Sequence, residues 1–473
     1  MRITQRSGGI AATIAVVFSS GCAARNGVRY EKGSLAESSS YRATVDARAS
    51  QLLNGQWVTG LAVGLVTPSG VETFGYGRVD AATSRVPDAN TVFEIGSITK
   101  VFTGLLLAEA NRRGLVALNA PLGQCLPSAT IPANAAVARI TMAQLATHTS
   151  GLPRLPANLR PRDPANPYAD YSVSDLYRYL GSHVLAREPG ATYEYSNLGG
   201  GLLGHALEVC GKSDYVTLVK DWITSPLGMT STSIALTDEM RSRLARGHDA
   251  DGSPVANWDL TTLAGAGGLR STVSDLVHFL QANINPSKEP ISQAISTTQK
   301  ARRDRPGGKI GLGWHIGFRS PTDAEIRWHN GGTGGYHSFI AFDPSAKVGV
   351  VVLANSSAPI VDKLGVSLIN MLRRQPHSFA IPPSVRIDPQ ILDRYVGRYQ
   401  LVPTFVITVT REGARLFAQA TGQSKFRVFA KNKRRFSYRV VDAEIEFETG
   451  ANGPASILIL HQGGQSQRAS RLP

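Results

Sequence analysis

Strand-like runs gather at both ends of the first 375 residues and leave the middle to helices, and this order admits few folds. Early in the chain, 61–67 and 71–76 are β-rich runs joined by Pro68-Ser69-Gly70, which reads as a hairpin. Four further runs, 311–318, 326–329, 337–343 and 348–355, come after a helical, loop-rich stretch over 115–297. The order predicts one sheet assembled from both ends of this region, with the helices inserted between its halves. Helical spacing is present over 41–53 and 360–374, and over 97–112, where Val101, Leu105, Leu106 and Ala110 recur at core-facing intervals. The start of the 97–112 helix is therefore expected close to the late strands. Residues 376–389, with Pro382-Pro383, read as a linker. Beyond it, 390–473 carries short runs at 405–409, 436–440, 445–447 and 457–460 broken by glycines, the pattern of a separate antiparallel β domain of about 85 residues.

The N-terminus has a different purpose. Arg2 and Arg6 precede an apolar run over 10–18, too short for a membrane span of about 20 residues, so 1–24 reads as a signal peptide and the protein as exported, to the periplasm. Ser19, Ser20 and Gly21 lead to Cys22 in a layout that resembles the lipobox of bacterial lipoproteins, which implies lipid on Cys22 and membrane attachment through it. Ser19 stands where a lipobox carries a leucine-like residue, and ordinary cleavage after Ala23 or Ala24 is the alternative. Residues 25–40 are small and polar, as in a tether. Cys125 and Cys210 remain after export in a compartment where disulfides persist; a bridge and two buried thiols are both open.

Composition excludes several classes. With 42% hydrophobic and 18% charged residues over 473 positions, the chain has a core without help from metal or disulfides. The net charge of +15 favours anionic surroundings, yet the basic residues are scattered and no recognition motif accompanies them, so no nucleic-acid partner is expected. The one cluster, Lys431, Lys433, Arg434 and Arg435, reads as a solvated loop. Ten histidines show no His-x-x-x-His or His-x-His pairing, so no metal is expected. Glycine runs at Gly265 and Gly331 lack the Lys-Ser/Thr of a phosphate cradle, and no cofactor is expected.

Three segments carry chemistry. In Phe93-Glu94-Ile95-Gly96-Ser97-Ile98-Thr99-Lys100, a serine and a lysine three apart share one face of a helix start. A serine needs a base, and a lysine becomes one when burial and neighbouring charge lower its pKa. In Tyr195-Ser196-Asn197, which follows Pro189-Gly190, a tyrosine beside a lysine runs as a phenolate and relays a proton, while the asparagine offers an amide to a substrate carbonyl. In His329-Asn330-Gly331-Gly332, glycines let a substrate lie along a strand and free an N–H for an oxyanion.

Together, in this order, these segments resemble the signature of the class C β-lactamase and penicillin-binding-protein family of serine hydrolases, which also includes esterases and D-amino-acid-specific peptidases. The segments 145–153, 226–229 and 265–272 are similar to that family as well, the last two read as structural and His148 as a satisfied buried histidine. Thr272 with Asp275 fits a capping box. The resemblance implies an α+β fold, with an antiparallel sheet flanked by helices and a helical subdomain over 41–375. Residues 392–399 resemble the small barrel-like domain that often trails these hydrolases. It also implies Ser97 as nucleophile, Lys100 and Tyr195 as proton-transfer pair, and Asn197, His329, Gly331 and Gly332 as substrate-binding positions, with the N–H groups of Ser97 and Gly332 as oxyanion hole. The implied substrate is a β-lactam or a D-alanyl peptidoglycan peptide, with small acyl esters as the alternative and a non-catalytic envelope lipoprotein as the competing class. No obligate protein partner follows. One departure bears on substrate: relatives of the β-lactamase type place Lys-Thr-Gly where this chain has His329-Asn330-Gly331, and a histidine is mostly neutral at pH 7. Arg327, two residues earlier, either supplies the missing charge from the same strand face or is simply solvent-exposed.

Overall fold

The structure is a computed structural model that describes residues 41–473 apart from 128–134, 288, 319–322, 324, 382–384, 386, 424, 442 and 451–452. The expected signal peptide, Cys22, the tether and Pro382-Pro383 lie outside the described residues.

Helix α1 (Arg42–Asn54) leads into the hairpin β1 (Gly60–Thr67) and β2 (Gly70–Gly77). A two-stranded ladder, β3 (Phe93–Glu94) with β4 (Arg270–Ser271), precedes the helix α2 (Thr99–Arg112) in space. The middle of the chain holds α3 (Asn197–Gly211) and α4 (Val273–Ile284). It then returns through β5 (Arg303–Arg305), β6 (Gly308–Ile310), β7 (His315–Ile316), β8 (Arg327–Gly332), β9 (His337–Asp343) and β10 (Val348–Ala354), ending in α5 (Ile360–Leu372). The eight sheet strands run β2-β1-β10-β9-β8-β7-β6-β5, every pair antiparallel, so the two chain ends meet where β1 pairs β10.

Helices cover both faces of the sheet centre, which is why β1 is buried at all but its last residue instead of alternating with polar positions. Ala62, Val66, Ile340 and Val351 pack with Val101 of α2 and Val273 of α4. Leu61, Val63, Phe339 and Val352, pointing the other way, pack with Ala49 of α1 and Leu364 of α5.

Two expectations change. The run at 311–318 shrinks to β7 because Gly311 to Trp314 closes a turn (Gly311 N–H to the Trp314 carbonyl, 2.8 Å) beneath α2. Edge strands β5 and β6 escaped the sequence reading because all but Arg305 and Ile310 face solvent, leaving no apolar alternation to read. The expected cap at α4 is also only half present. Thr272 accepts the Asp275 N–H (3.1 Å), but the Asp275 carboxylate takes the Ser231 N–H (2.8 Å) and the Thr232 hydroxyl (2.7 Å) instead of closing the box. Cys125 and Cys210 are joined in a disulfide, Cα atoms 5.1 Å apart, tying the C-terminal end of α3 to the loop after α2.

The C-terminal strands, Gly397–Val402 through Gln465–Arg471, close into an eight-stranded barrel by pairing Tyr399 with Arg471. Its interior is filled by Tyr399, Ile407, Phe436, Ile445 and Phe447. The barrel is pinned to the end of α1 by Arg439, whose guanidinium carbon lies 3.9 Å from the Trp57 ring centroid and donates to the Gly55 (2.8 Å) and Gln56 (2.5 Å) carbonyls.

Candidate active site

Ser97 is not on the α-helix that its sequence context predicts. It is the middle residue of a 3-10 turn, Gly96–Ile98, and α2 begins at Thr99. The turn is enforced from behind. Gly96 has φ +48°, and a Cβ there would lie 2.8 Å from the Gly332 nitrogen, so only glycine fits this close approach of turn and strand. On the same seam a Cβ on Gly331 would lie 2.0 Å from the Ile95 carbonyl oxygen. Strand β8 and the serine turn are thus in backbone contact, as the chain order requires.

Lys100, one position into α2, is buried and holds its Nζ 3.1 Å from Ser97 Oγ, 2.8 Å from Asn197 Oδ1 and 2.6 Å from the Ala266 carbonyl. The last two atoms only accept, so a neutral amine that donates to both keeps its lone pair for the serine proton. Burial pushes the Lys100 pKa well below the ordinary lysine range, and the positive charge of Arg154 lowers it further. The segment 265–272, read as structural, therefore supplies one acceptor of the lysine.

The second segment arrives on the N-terminus of α3. Ser196 is its N-cap, accepting the Gly199 N–H (2.8 Å) and donating to the Pro153 carbonyl (2.6 Å). The Arg154 carbonyl takes the N–H groups of Asn197 (3.0 Å) and Leu198 (3.1 Å), so the 148–154 segment and α3 are locked together. Tyr195 is thereby brought beside the lysine: its ring centroid lies 4.9 Å from Lys100 Nζ and 4.4 Å from the His148 ring. Burial raises the Tyr195 pKa, outweighing the lowering by Ser97 and Arg154, so the free enzyme holds a phenol here and not the phenolate the sequence suggests. Asn197 engages Lys100 through its Oδ1, and the buried Tyr168 lies close by.

His329 is fully buried. Its ring stacks on His315 (4.7 Å between centroids), lies 6.4 Å from Tyr195, and its Nδ1 bonds to the Asn330 carbonyl at 2.6 Å. Burial first, then Lys100, lower its pKa to about 3, so it is neutral at physiological pH. Arg327 does not replace the missing charge: it is held by Glu325, through the backbone carbonyl (2.5 Å) and the carboxylate (3.2 Å). Gly332, at the exposed end of β8, pairs with His337 between the bonded pairs on either side, as the Thr333 N–H to Tyr336 carbonyl bond (3.0 Å) fixes. In an antiparallel ladder the N–H at such a position points away from the partner strand, here toward the serine turn.

His148 is buried and Nδ1 accepts the Ser196 N–H (3.2 Å), but among the described residues Nε2 has no partner, so it is only half satisfied. Sequence reasoning missed Arg154, Tyr168, Ala266 and His315, and no spacing marks them. It also missed the buried ion pair of Glu94 and Arg270 (3.4 Å), which with Asn257 and the Trp258 N–H on the same carboxylate braces the strand before the serine. Among the described residues, no three His, Cys, Asp or Glu side chains are grouped as metal ligands.

A serine hydroxyl held against a buried amine, flanked by a phenol and faced by a strand-end N–H, defines on this frame a serine hydrolase of the β-lactamase and DD-peptidase type. The chain belongs to the Beta-lactamase family, which matches residues 45–366; residues 382–471 match a domain of unknown function, DUF3471. It is similar to a β-lactamase of Pseudomonas fluorescens, 27% identical over 354 residues covering 68% of this chain and 96% of the relative. It is also similar to the D-alanyl-D-alanine-carboxypeptidase/endopeptidase AmpH of Escherichia coli strain K12, 29% identical over 331 residues, 66% of this chain and 83% of the relative. Among solved structures, D-alanine carboxypeptidase AmpC from Burkholderia cenocepacia superposes with TM-score 0.61 at 26% identity, over 70% of this chain and 98% of that one.

Proposed function

We propose that this hydrolase works by acyl transfer through Ser97, on the amide bond of a β-lactam or a D-alanyl peptidoglycan peptide. The observation that carries this reading is Lys100 Nζ 3.1 Å from Ser97 Oγ, in a setting that favours the neutral amine. Lys100 takes the serine proton as Oγ attacks the carbonyl carbon, and the N–H groups of Ser97 and Gly332 hold the resulting oxyanion. The Tyr195 hydroxyl gives its proton to the departing nitrogen and recovers one from the Lys100 ammonium, leaving an ester on Ser97. Water adds to that ester, and the acid leaves with Ser97 reprotonated. Asn197 and His329 act in this scheme by position: one fixes the lysine, the other backs the tyrosine.

The two substrate classes rest on the names of the similar proteins, a β-lactamase and D-alanine carboxypeptidases. Small acyl esters are a second reading, favoured by the neutral His329 where relatives of the β-lactamase type carry a lysine. The site faces the periplasm if 1–24 is a signal peptide, with lipid on Cys22 as anchor, and 41–375 and 390–473 are then its two folded units. An intact-mass time course of the protein from Arg25 onward with excess penicillin, beside Ser97→Ala, tests the proposal. A penicillin-sized adduct on the wild type alone supports it; a stable adduct assigns a penicillin-binding peptidase, and a transient one with product assigns a β-lactamase. Wild-type turnover in Ser97→Ala refutes it. Affinity for peptidoglycan fragments with no hydrolysis of any kind would instead support the non-catalytic class.

A further inference from the structure

With His329 neutral and Arg327 tied to Glu325, the site has lost two candidate sources of positive charge on β8. The charged groups that act on Lys100, Tyr195, His148 and His329 are Arg154, Arg305 and one another; among the described residues no carboxylate is one of them. Arg305 is half-buried, and its guanidinium donates to the carbonyls of Lys309 (3.2 Å), Pro306 (2.9 Å) and Gly317 (3.1 Å). Arg154 is exposed, and among the described residues its guanidinium makes no hydrogen bond and no ion pair. It stands 5.4 Å over the ring of Tyr195. Its backbone is fixed, because its carbonyl is the acceptor that holds the start of α3. A free fork of donors on a rigid stem beside the reacting serine is a carboxylate receptor without its carboxylate.

We infer that Arg154 is a specificity-determining residue that binds a carboxylate on the leaving group of the substrate. The placement argues for the leaving group and not the acyl part. Arg154 lies on the side of Ser97 occupied by Tyr195, whose hydroxyl is positioned to protonate the departing atom, whereas the oxyanion N–H of Gly332 comes from the strand side. Recognition of the anion has thus moved from the sheet to the 148–154 segment that packs against the start of α3. The inference rests on the Ser97 reading, and its test is kept separable from it.

Two acetyl esters with the same acyl group serve as probes, phenyl acetate and 3-carboxyphenyl acetate. The quantity read is the ratio of their kcat/KM values, carboxylated over uncharged. In the wild type this ratio is expected at about ten or more, the scale of a charge-assisted hydrogen bond. Arg154→Gln should bring it close to one, Arg154→Lys should restore part of it, and Arg154→Glu should invert it. Removing Arg154 also releases its hold on the Lys100 pKa, but that affects both esters alike and cancels in the ratio. A wild-type ratio near one, or a ratio that survives Arg154→Gln, overturns the inference. Undiminished turnover of both esters by Ser97→Ala would overturn the acyl-transfer reading instead.

Discussion

Gly331→Ala is the sharpest test of how the sheet holds the serine. The added methyl would stand 2.0 Å from the Ile95 carbonyl oxygen and 2.5 Å from Ser338 Oγ. Ordinary carbon-to-oxygen contact needs about 3.3 Å, so the Ile95 carbonyl must retreat by roughly 1.3 Å. That carbonyl accepts the Ser338 hydroxyl (2.8 Å) and the Ile98 N–H (3.2 Å), so it cannot move without the turn that carries Ser97. Displacement of a catalytic group by about 1 Å lowers the rate on the order of 100-fold, and overpacking of this kind destabilises by about 1–3 kcal/mol. The neighbouring Gly332→Ala is the comparison: its methyl meets nothing nearer than the His337 ring at 3.6 Å, and its N–H is kept. Steady-state kcat/KM on whichever β-lactam or ester is turned over, with a thermal melt of each variant, gives the answer. Gly331→Ala should lose at least ten times more activity than Gly332→Ala and melt lower. Activity of Gly331→Ala within threefold of wild type would mean that strand and turn are not rigidly coupled.

Because burial and Arg154 lower the Lys100 pKa, its amine form, the base, predominates from a lower pH than in a free lysine. The acid limb of the kcat/KM profile should therefore fall well below the free-lysine value of about 10.4, and a limb that stays near that value contradicts the assignment. Replacing Cys125 and Cys210 by serine opens a loop of 85 residues and should lower unfolding stability by about 2–5 kcal/mol in urea titrations; an unchanged midpoint would show the bridge to be dispensable. Arg270→Met should cost about 3–5 kcal/mol by leaving the Glu94 carboxylate buried without its cation, and the double variant with Glu94→Gln should recover part of that loss. A double variant no more stable than the single would place the effect in packing and not in charge.

The sequence by itself determined the elements built on local pattern. The hairpin at β1 and β2, the apolar runs of β9 and β10, the helix after Ser97 and the all-β character of the C-terminal region follow from periodicity and turn residues, which act over a few positions. It also marked Ser97 and Lys100, a serine three before a lysine at a helix start, whereas Tyr195 was marked only by the Tyr195-Ser196-Asn197 segment taken together with the other two motifs. What tertiary structure decided is everything set by long-range contact and by the environment that burial creates. Closure of the barrel depends on Tyr399 meeting Arg471, and the disulfide on Cys125 meeting Cys210, neither of which has a local signal. Ser97 left the helix for a tighter turn because β8 presses on Gly96 from far along the chain. The sequence expected a neutral His329 and a lysine made basic by burial, but the desolvation that holds Lys100 toward the amine, His329 toward neutrality and Tyr195 toward the phenol, against the phenolate read from its neighbours, is a property of the packed site. Arg154 follows the same rule, since an arginine after a proline in a loop says nothing until the fold sets it over Tyr195 with no carboxylate paired to it among the described residues.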